Sequence, residues 1–212
     1  MNDTRGYPEP VQRLIDCFAK LPGIGRRSAE RLAFHVLKSE VDEARELAGA
    51  IGDVKTQVRH CAVCFNFADD ERCAVCNDPR RERSSVLVVE QPKDALAIEQ
   101  TGMYRGLYHV LLGRISPLDG VNAEDLTVAD LLARLDDPER NAGEMRVEEV
   151  ILGLNPTLEG DGTGLYLADQ IERRGVRITQ LARGLPSGAT LEFASKAVLA
   201  DAIAGRRAFD HQ

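Results

Sequence analysis

Leu21-Pro22-Gly23-Ile24-Gly25-Arg26-Arg27-Ser28-Ala29-Glu30-Arg31 reads as a tight glycine turn that opens directly into a helix. Gly23 and Gly25 permit backbone angles that a side chain would forbid. Without a Cβ at either position, a phosphate can come close to the main chain. The first amides of a helix have no internal partners and sit at its positive end, which suits an anion. Ala29, Leu32, Ala33, Val36 and Leu37 follow the spacing of one buried helical face, while Arg27, Arg31 and Lys38 fall on another side. Upstream, Val11, Leu14, Ile15, Phe18 and Leu21 recur at helical spacing until Pro22 stops the run. Two helices around a glycine turn predict a helix-hairpin-helix that holds a nucleic-acid backbone. Gly23, Ile24, Gly25, Arg27 and Arg31 are its candidate contacts. Such contacts position the backbone and carry no sequence preference. An ordinary helical corner, with glycines that serve only packing, is the competing reading.

The net charge of −7 sits oddly with a nucleic-acid binder until it is divided along the chain. Residues 1–38 carry seven Lys and Arg against four acids, a net of +3, so the remainder carries −10. Phosphate attraction is screened within about 8 Å at physiological salt, so a basic segment binds locally despite an acidic bulk. The expected affinity per subunit is modest and salt-sensitive, which favours several subunits or a basic partner. Hydrophobic residues make up 43% of the 212 positions, enough for a globular chain with one sizeable core or two small ones. No apolar stretch approaches the length of a membrane span, and the first residues lack the apolar core of a signal peptide, so a cytoplasmic location is expected.

Val41 to about Val58 predicts a further helix, with Leu47, Ile51 and Val54 on one side. From Ser85 onward the pattern changes. Strands are expected at Val86–Val89, Tyr108–Leu112, within Val147–Leu154 and at Val176–Leu181. Helices are expected between them at Pro92–Gln100, Val128–Leu135 and Thr163–Arg174, with a closing helix over Leu191–Ile203. Strands alternating with helices predict a parallel, layered α/β sheet.

Between the two regions stand Cys61-x2-Cys64 and Cys73-x2-Cys76, separated by eight residues. Four thiolates at this spacing match tetrahedral zinc, each knuckle supplying two ligands from a turn. Two disulfides are the alternative, disfavoured in a reducing compartment. With four cysteine ligands no coordination position remains open, so one structural zinc per chain is expected rather than a catalytic one. Cys17 stands alone in the first helix, where a small buried apolar role is expected.

Glu90 follows the first strand of the α/β region, and Glu159 and Asp161 lie just beyond the third, in what reads as a loop. Acids at the carboxyl ends of strands in an open sheet converge on one crevice. There they are candidates to hold Mg²⁺ for phosphoryl transfer, a magnesium-dependent enzyme acting on phosphodiesters being the alternative function. Solvated acids or partner contacts are the competing reading. His35, His60, His109 and His211 show no partner pattern, Tyr166 falls where packing is expected, and neither a nucleophilic triad nor a GxxxxGK phosphate loop is present.

Leu21-Pro22-Gly23-Ile24-Gly25, the Cys61/Cys64/Cys73/Cys76 quartet, Val88-Val89-Glu90, Asn155-Pro156-Thr157-Leu158-Glu159-Gly160 and Arg183-Gly184-Leu185-Pro186 occur in that order. Over nearly the whole chain this closely resembles the RecR family of bacterial recombination mediators. The resemblance implies an α/β protein of four parts. These are a helix-hairpin-helix over 1–56, a four-cysteine zinc finger over 57–80, a Toprim domain over 84–181, and a C-terminal oligomerising extension with a helix over 182–212. It implies a non-enzymatic, ring-like tetramer that encircles DNA at the nucleoid and works with RecO and RecF to promote RecA loading at single-stranded gaps. It places the DNA-facing basic positions at Arg27 and Arg31 and the Toprim acids at Glu90, Glu159 and Asp161, with RecO contact through Glu159 and Asp161. Catalytic Toprim proteins pair a glutamate with Asp-x-Asp, whereas Glu159-Gly160-Asp161 lengthens the first arm. That departure weakens the case for an essential Mg²⁺.

Overall fold

Apolar residues at every third or fourth position build the first of two units, Met1–Val58, from helices α1 (Glu9–Ala19), α2 (Arg26–Lys38) and α3 (Val41–Gln57). The structure, a computed structural model, describes residues 6–208; His211 and the outer residues of the two terminal segments assigned above lie outside them. Ile15 of α1 packs with Ala29 and Ala33 of α2, and Val11, Leu14, Phe18 and Ile24 close around them. The two alanines allow the helices to approach closely.

Helical geometry corrects two expectations here. Spacing puts Leu37 on the buried face, yet it is 60% exposed. It lies eight residues after Ala29, about 80° around the helix, at the margin of the stripe centred on Ala29, Ala33 and Val36. Cys17 is exposed rather than buried, because it lies two residues from Ile15 and so on the opposite side of α1. Leu47, Ile51 and Val54 do share one side of α3, yet all three are exposed, and no residue of α3 is buried.

The second unit, Arg59–Gln212, begins with the cysteine region: β1 (Arg59–His60), β2 (Phe67–Ala68) and α4 (Ala74–Asn77). The α/β part follows as β3 (Glu82–Val89), α5 (Pro92–Glu99), β4 (Gly106–Val110), α6 (Val128–Asp136), β5 (Glu149–Leu152), α7 (Leu158–Glu172), β6 (Arg177–Gln180) and α8 (Lys196–Ala204). Its four strands form one parallel sheet in the order β4-β3-β5-β6. Val86–Val89 are buried on both faces, which is why they read as a continuous apolar run.

One face of the sheet packs Val86, Val88, Val150 and Leu152 against Leu131 and Leu135 of α6 and Leu167 and Ile171 of α7. The other packs Leu87, Val89, Tyr108 and Val110 against Ala95 and Ile98 of α5. Strand order reverses between β3 and β5, so the crevice of an open sheet opens at their carboxyl ends.

The elements sit close to their expected places, with three differences. β3 starts four residues earlier than expected and β4 two residues earlier. α7 begins at Leu158 rather than Thr163, because the Thr157 hydroxyl accepts the Gly160 amide (3.0 Å) and caps the helix. Glu159 and Asp161 therefore stand on a helical first turn and not in a loop. The closing segment divides into a single turn at Leu191–Phe193 and α8, which Ser195 caps through the Val198 amide (3.3 Å). No described helix is long and apolar enough to cross a membrane.

Leu131 is fully buried between sheet and helix. Leu131→Ala is expected to cost about 2–5 kcal/mol in urea unfolding; a loss under about 1 kcal/mol would mean that α6 does not hold this core together.

Candidate metal centre and nucleic-acid interface

Each cysteine pair is presented by a local turn. In the first, the Phe65 amide donates to the Cys61 carbonyl (3.0 Å) and the Cys61 amide to the Asn66 carbonyl (2.8 Å), with Phe65 in the left-handed region at φ +61°. In the second, Cys73 is the N-cap of α4 and Cys76 lies within it. All four cysteines are buried, and their sulfurs lie within 4.8 Å of one another. The Cys64 and Cys73 sulfurs are 3.5 Å apart, and the four remain free thiols. Zinc–sulfur bonds of about 2.3 Å in a tetrahedron require sulfur separations of about 3.8 Å, so a quartet gathered this closely suits such an ion. Hydrogen bonding to the neighbouring sulfurs, Cys61 first, pushes the Cys64 and Cys76 thiols up, and burial adds to it. Four sulfurs this close cannot all ionise without a counter-charge, and a dication supplies one. Among the described residues no other group of three or more potential ligands converges in this way.

One of the two glycines of the hairpin turn uses the freedom that a missing side chain gives. Gly23 is left-handed at φ +77°, a conformation that favours glycine. Gly25 is not: at φ −78° and ψ 164° it is ordinary extended backbone, because as the N-cap of α2 it needs only the β region. A Cβ at either position would meet nothing within 4 Å, so the space above the turn is open. No side chain caps α2, which leaves its first amides facing outward. Ile24 is half-buried against the α1–α2 core. Arg26 is committed to Asp16 (2.6 Å) and Glu30 (3.8 Å) and so ties α2 to α1. Arg27 and Arg31 are exposed and have no carboxylate within 4.0 Å among the described residues.

The three acids of the α/β part do not converge as expected. Glu90, only 2% exposed, accepts the Asn155 amide (2.8 Å) and faces Arg114 at 3.9 Å. Asp161 is held by both terminal nitrogens of Arg183, whose hydrogen bonds draw its carboxyl below the usual range. Glu159 is half-buried on the first turn of α7, and the three form no group whose oxygens all lie within 4.8 Å. The physical reason lies in the early start of that helix: its capped first turn directs Glu159 and Asp161 apart, and the arginines neutralise what convergence would have required a metal to neutralise.

Comparison with known proteins bears on all three regions. The family profile for the RecR helix-hairpin-helix matches residues 11–55, that for the RecR zinc finger domain with four cysteines matches 58–78, and that for the Toprim domain matches 84–182. The recombination protein RecR of Rhodopirellula baltica is 49% identical over 202 residues, 95% of this chain and 98% of that protein. Those of Moorella thermoacetica (48% over 200 residues; 94% and 97%) and Thermobifida fusca (48% over 204 residues; 96% and 99%) are similar throughout as well. The chain belongs to the RecR family.

Within this RecR-family frame, sequence reasoning missed the residues that act through others. Arg183 carried its signal in the Arg183-Gly184-Leu185-Pro186 stretch, without a stated role. Arg134 interrupts the apolar stripe of α6 between Leu131 and Leu135, and a cation on a buried face was a visible warning. Gly160 was visible only as a letter of a motif. A Cβ there would collide with the Asn155 carbonyl and stand 3.1 Å from the Glu90 carboxylate.

Cys64→Ser is expected to lower metal content and thermal stability together, by at least about 2 kcal/mol; a metal-free variant melting with the wild type would count against a structural metal. Gly160→Ala is expected to destabilise the fold by about 1–3 kcal/mol through that collision. Calorimetry on a variant with unchanged melting would show that the corner relaxes freely.

Proposed function

We propose that this protein is a non-enzymatic recombination mediator: a tetrameric, ring-like clamp on DNA in the cytoplasm, at the nucleoid, that acts with RecO and RecF to promote RecA loading at single-stranded gaps during recombinational repair. The observation that carries the reading is the open glycine turn leading into an uncapped helix flanked by the exposed Arg27 and Arg31. In it, the amides after Gly25 and the turn Gly23-Ile24-Gly25 hold a backbone phosphate, and the two arginines add point charges beside it. Nothing in this arrangement reads base edges, so the binding is to backbone and not to sequence.

The cysteine quartet holds one zinc per chain in this reading. When bound, zinc supplies a structural cross-link and no chemistry. Cys61, Cys64, Cys73 and Cys76 fix two turns that are too short to fold on a core of their own. Glu159 and Asp161 form the surface that meets RecO, the first on a capped helical turn and the second oriented by Arg183. The exposed apolar row of Leu47, Ile51 and Val54 on α3 supports subunit contacts in the tetramer, since patches of this kind mark interaction surfaces. Glu90, Glu159 and Asp161 take no Mg²⁺-dependent catalytic role in this reading.

The test uses end-labelled DNA with a single-stranded gap, incubated with purified protein and Mg²⁺ and run on native and then denaturing gels. Retarded but chemically intact DNA is expected. Cleaved or extended strands, lost in Glu159→Ala, would make the acids an active site instead. Arg27→Glu is expected to weaken retention about tenfold at matched salt and to flatten the salt dependence. Retention equal to wild type would remove the hairpin face from the interface.

A further inference from the structure

Arg134 is 2% exposed, among the most deeply buried side chains of the molecule. Its Nε and Nη2 donate to the Asn141 side-chain oxygen (2.9 and 2.8 Å) and its Nη1 to the Tyr108 carbonyl (2.8 Å). Every acceptor is neutral, and among the described residues no carboxylate lies within 4.0 Å of the guanidinium. A buried charge without a counter-charge is costly, however well its hydrogen bonds are met. Glu71, Asp130 and Glu139 line a cleft beside it together with Arg72 and Arg140, but all five are exposed and screened by water.

The missing negative charge has another source. Arg134 stands between Leu131 and Leu135 on the side of α6 whose core also contains Cys61, Cys64, Cys73 and Cys76. Ala62, Val63 and Phe65 of the cysteine loop line the same cleft as Arg134, and its acceptor Tyr108 lies two residues before Val110, whose amide donates to the Cys64 carbonyl (2.8 Å). Four thiolates around one dication retain excess negative charge within the same apolar core.

We infer that Arg134 is the electrostatic partner of the four-cysteine centre, a positioning residue that neutralises the excess charge of the metal–thiolate group and thereby raises its affinity for zinc. Asn141 fixes the guanidinium in turn, its own amide donating to the Arg83 (2.8 Å) and Met145 (2.6 Å) carbonyls. The metal centre and the fold of the Toprim part then share one buried charge pair. This inference rests on zinc being the occupant of the quartet.

Full-length wild type and Arg134→Met are stripped of metal under reducing conditions. Both are then titrated with Zn²⁺ against a chromophoric chelator and melted with and without Zn²⁺. The wild type is expected to take one equivalent. Arg134→Met, which keeps volume but not charge, is expected to bind Zn²⁺ about ten- to a hundredfold more weakly and to lose more stability in the zinc-bound than in the metal-free state. Zinc affinity within about tenfold of wild type, or equal losses in the two states, overturns the inference. Arg134→Lys, which keeps the charge and gives up the fork to Asn141, should stay within about threefold, and it decides alone if the methionine variant does not fold. A larger loss in Arg134→Lys overturns the charge argument. A wild type that takes up no Zn²⁺ overturns the zinc reading and this inference with it, whereas a wild type that binds Zn²⁺ no better than Arg134→Met overturns the inference alone.

Discussion

A parallel sheet needs cover on both faces and along its edges, and in this chain the edge formed by β4 is covered by the cysteine loop. The Val110 amide at the end of β4 donates to the Cys64 carbonyl (2.8 Å), so the knuckle continues the hydrogen bonding of the strand. Phe65, the next residue, packs its ring against His109 with centroids 5.4 Å apart. Burial pushes the imidazole down to about 3, so it stays neutral in this contact. Val75 touches the cores on both faces of the sheet. The four-cysteine region is therefore part of the α/β fold rather than an appendage to it. Whatever holds its two turns together also holds the sheet edge.

The first unit rests on much less. Among the described residues its fully buried side chains are Ile15, Ala29 and Ala33, and α3 adds none. A core of that size is marginal for a segment of this length, and the exposed side of α3 is apolar where a free-standing helix would be polar. The polar features of the unit are concentrated instead around the glycine turn, where Arg26 directs its charge at Asp16 while Arg27 and Arg31 do not. Division of charge within one short helix separates a residue that builds the motif from residues that are left to act outside it.

Legibility of these parts in the sequence followed the range of the forces involved. The glycine turn, the two helices beside it, the cysteine quartet and the four parallel strands arise from local spacing, and local spacing is what a sequence displays. The quartet in particular is fully specified by its letters. Element order came through, but the start of α7 did not, because Gly160 and Gly162 argue against a helix locally and only the Thr157 cap and the packing of Thr163 and Leu167 overrule them. Cys17 and Leu37 fell on the wrong side because apolar character predicts burial only near the centre of a stripe. The acids were misplaced for a longer-range reason: their partners, Arg114 and Arg183, lie 24 and 22 residues away along the chain from Glu90 and Asp161.

Those two arginines change what the crevice at the end of the sheet is. At the point where strand order reverses, Glu90 uses one carboxylate oxygen to accept the Asn155 amide, which anchors the turn leading into α7. Gly160 lets the Asn155 carbonyl lie against that turn, so any larger residue there strains the corner. Asp161 sits at the positive end of α7, where a negative charge is favoured, and Arg183 reaches it from the segment after β6. Its carboxylate thus connects the helix start to the stretch that leads towards α8. One buried acid fixes the turn, one exposed acid fixes the following segment, and Glu159 stands on the helix between them without an ion pair among the described residues. Acids that an open crevice would direct at a common ion are here separated, two of them bound to structural partners and the third left to itself.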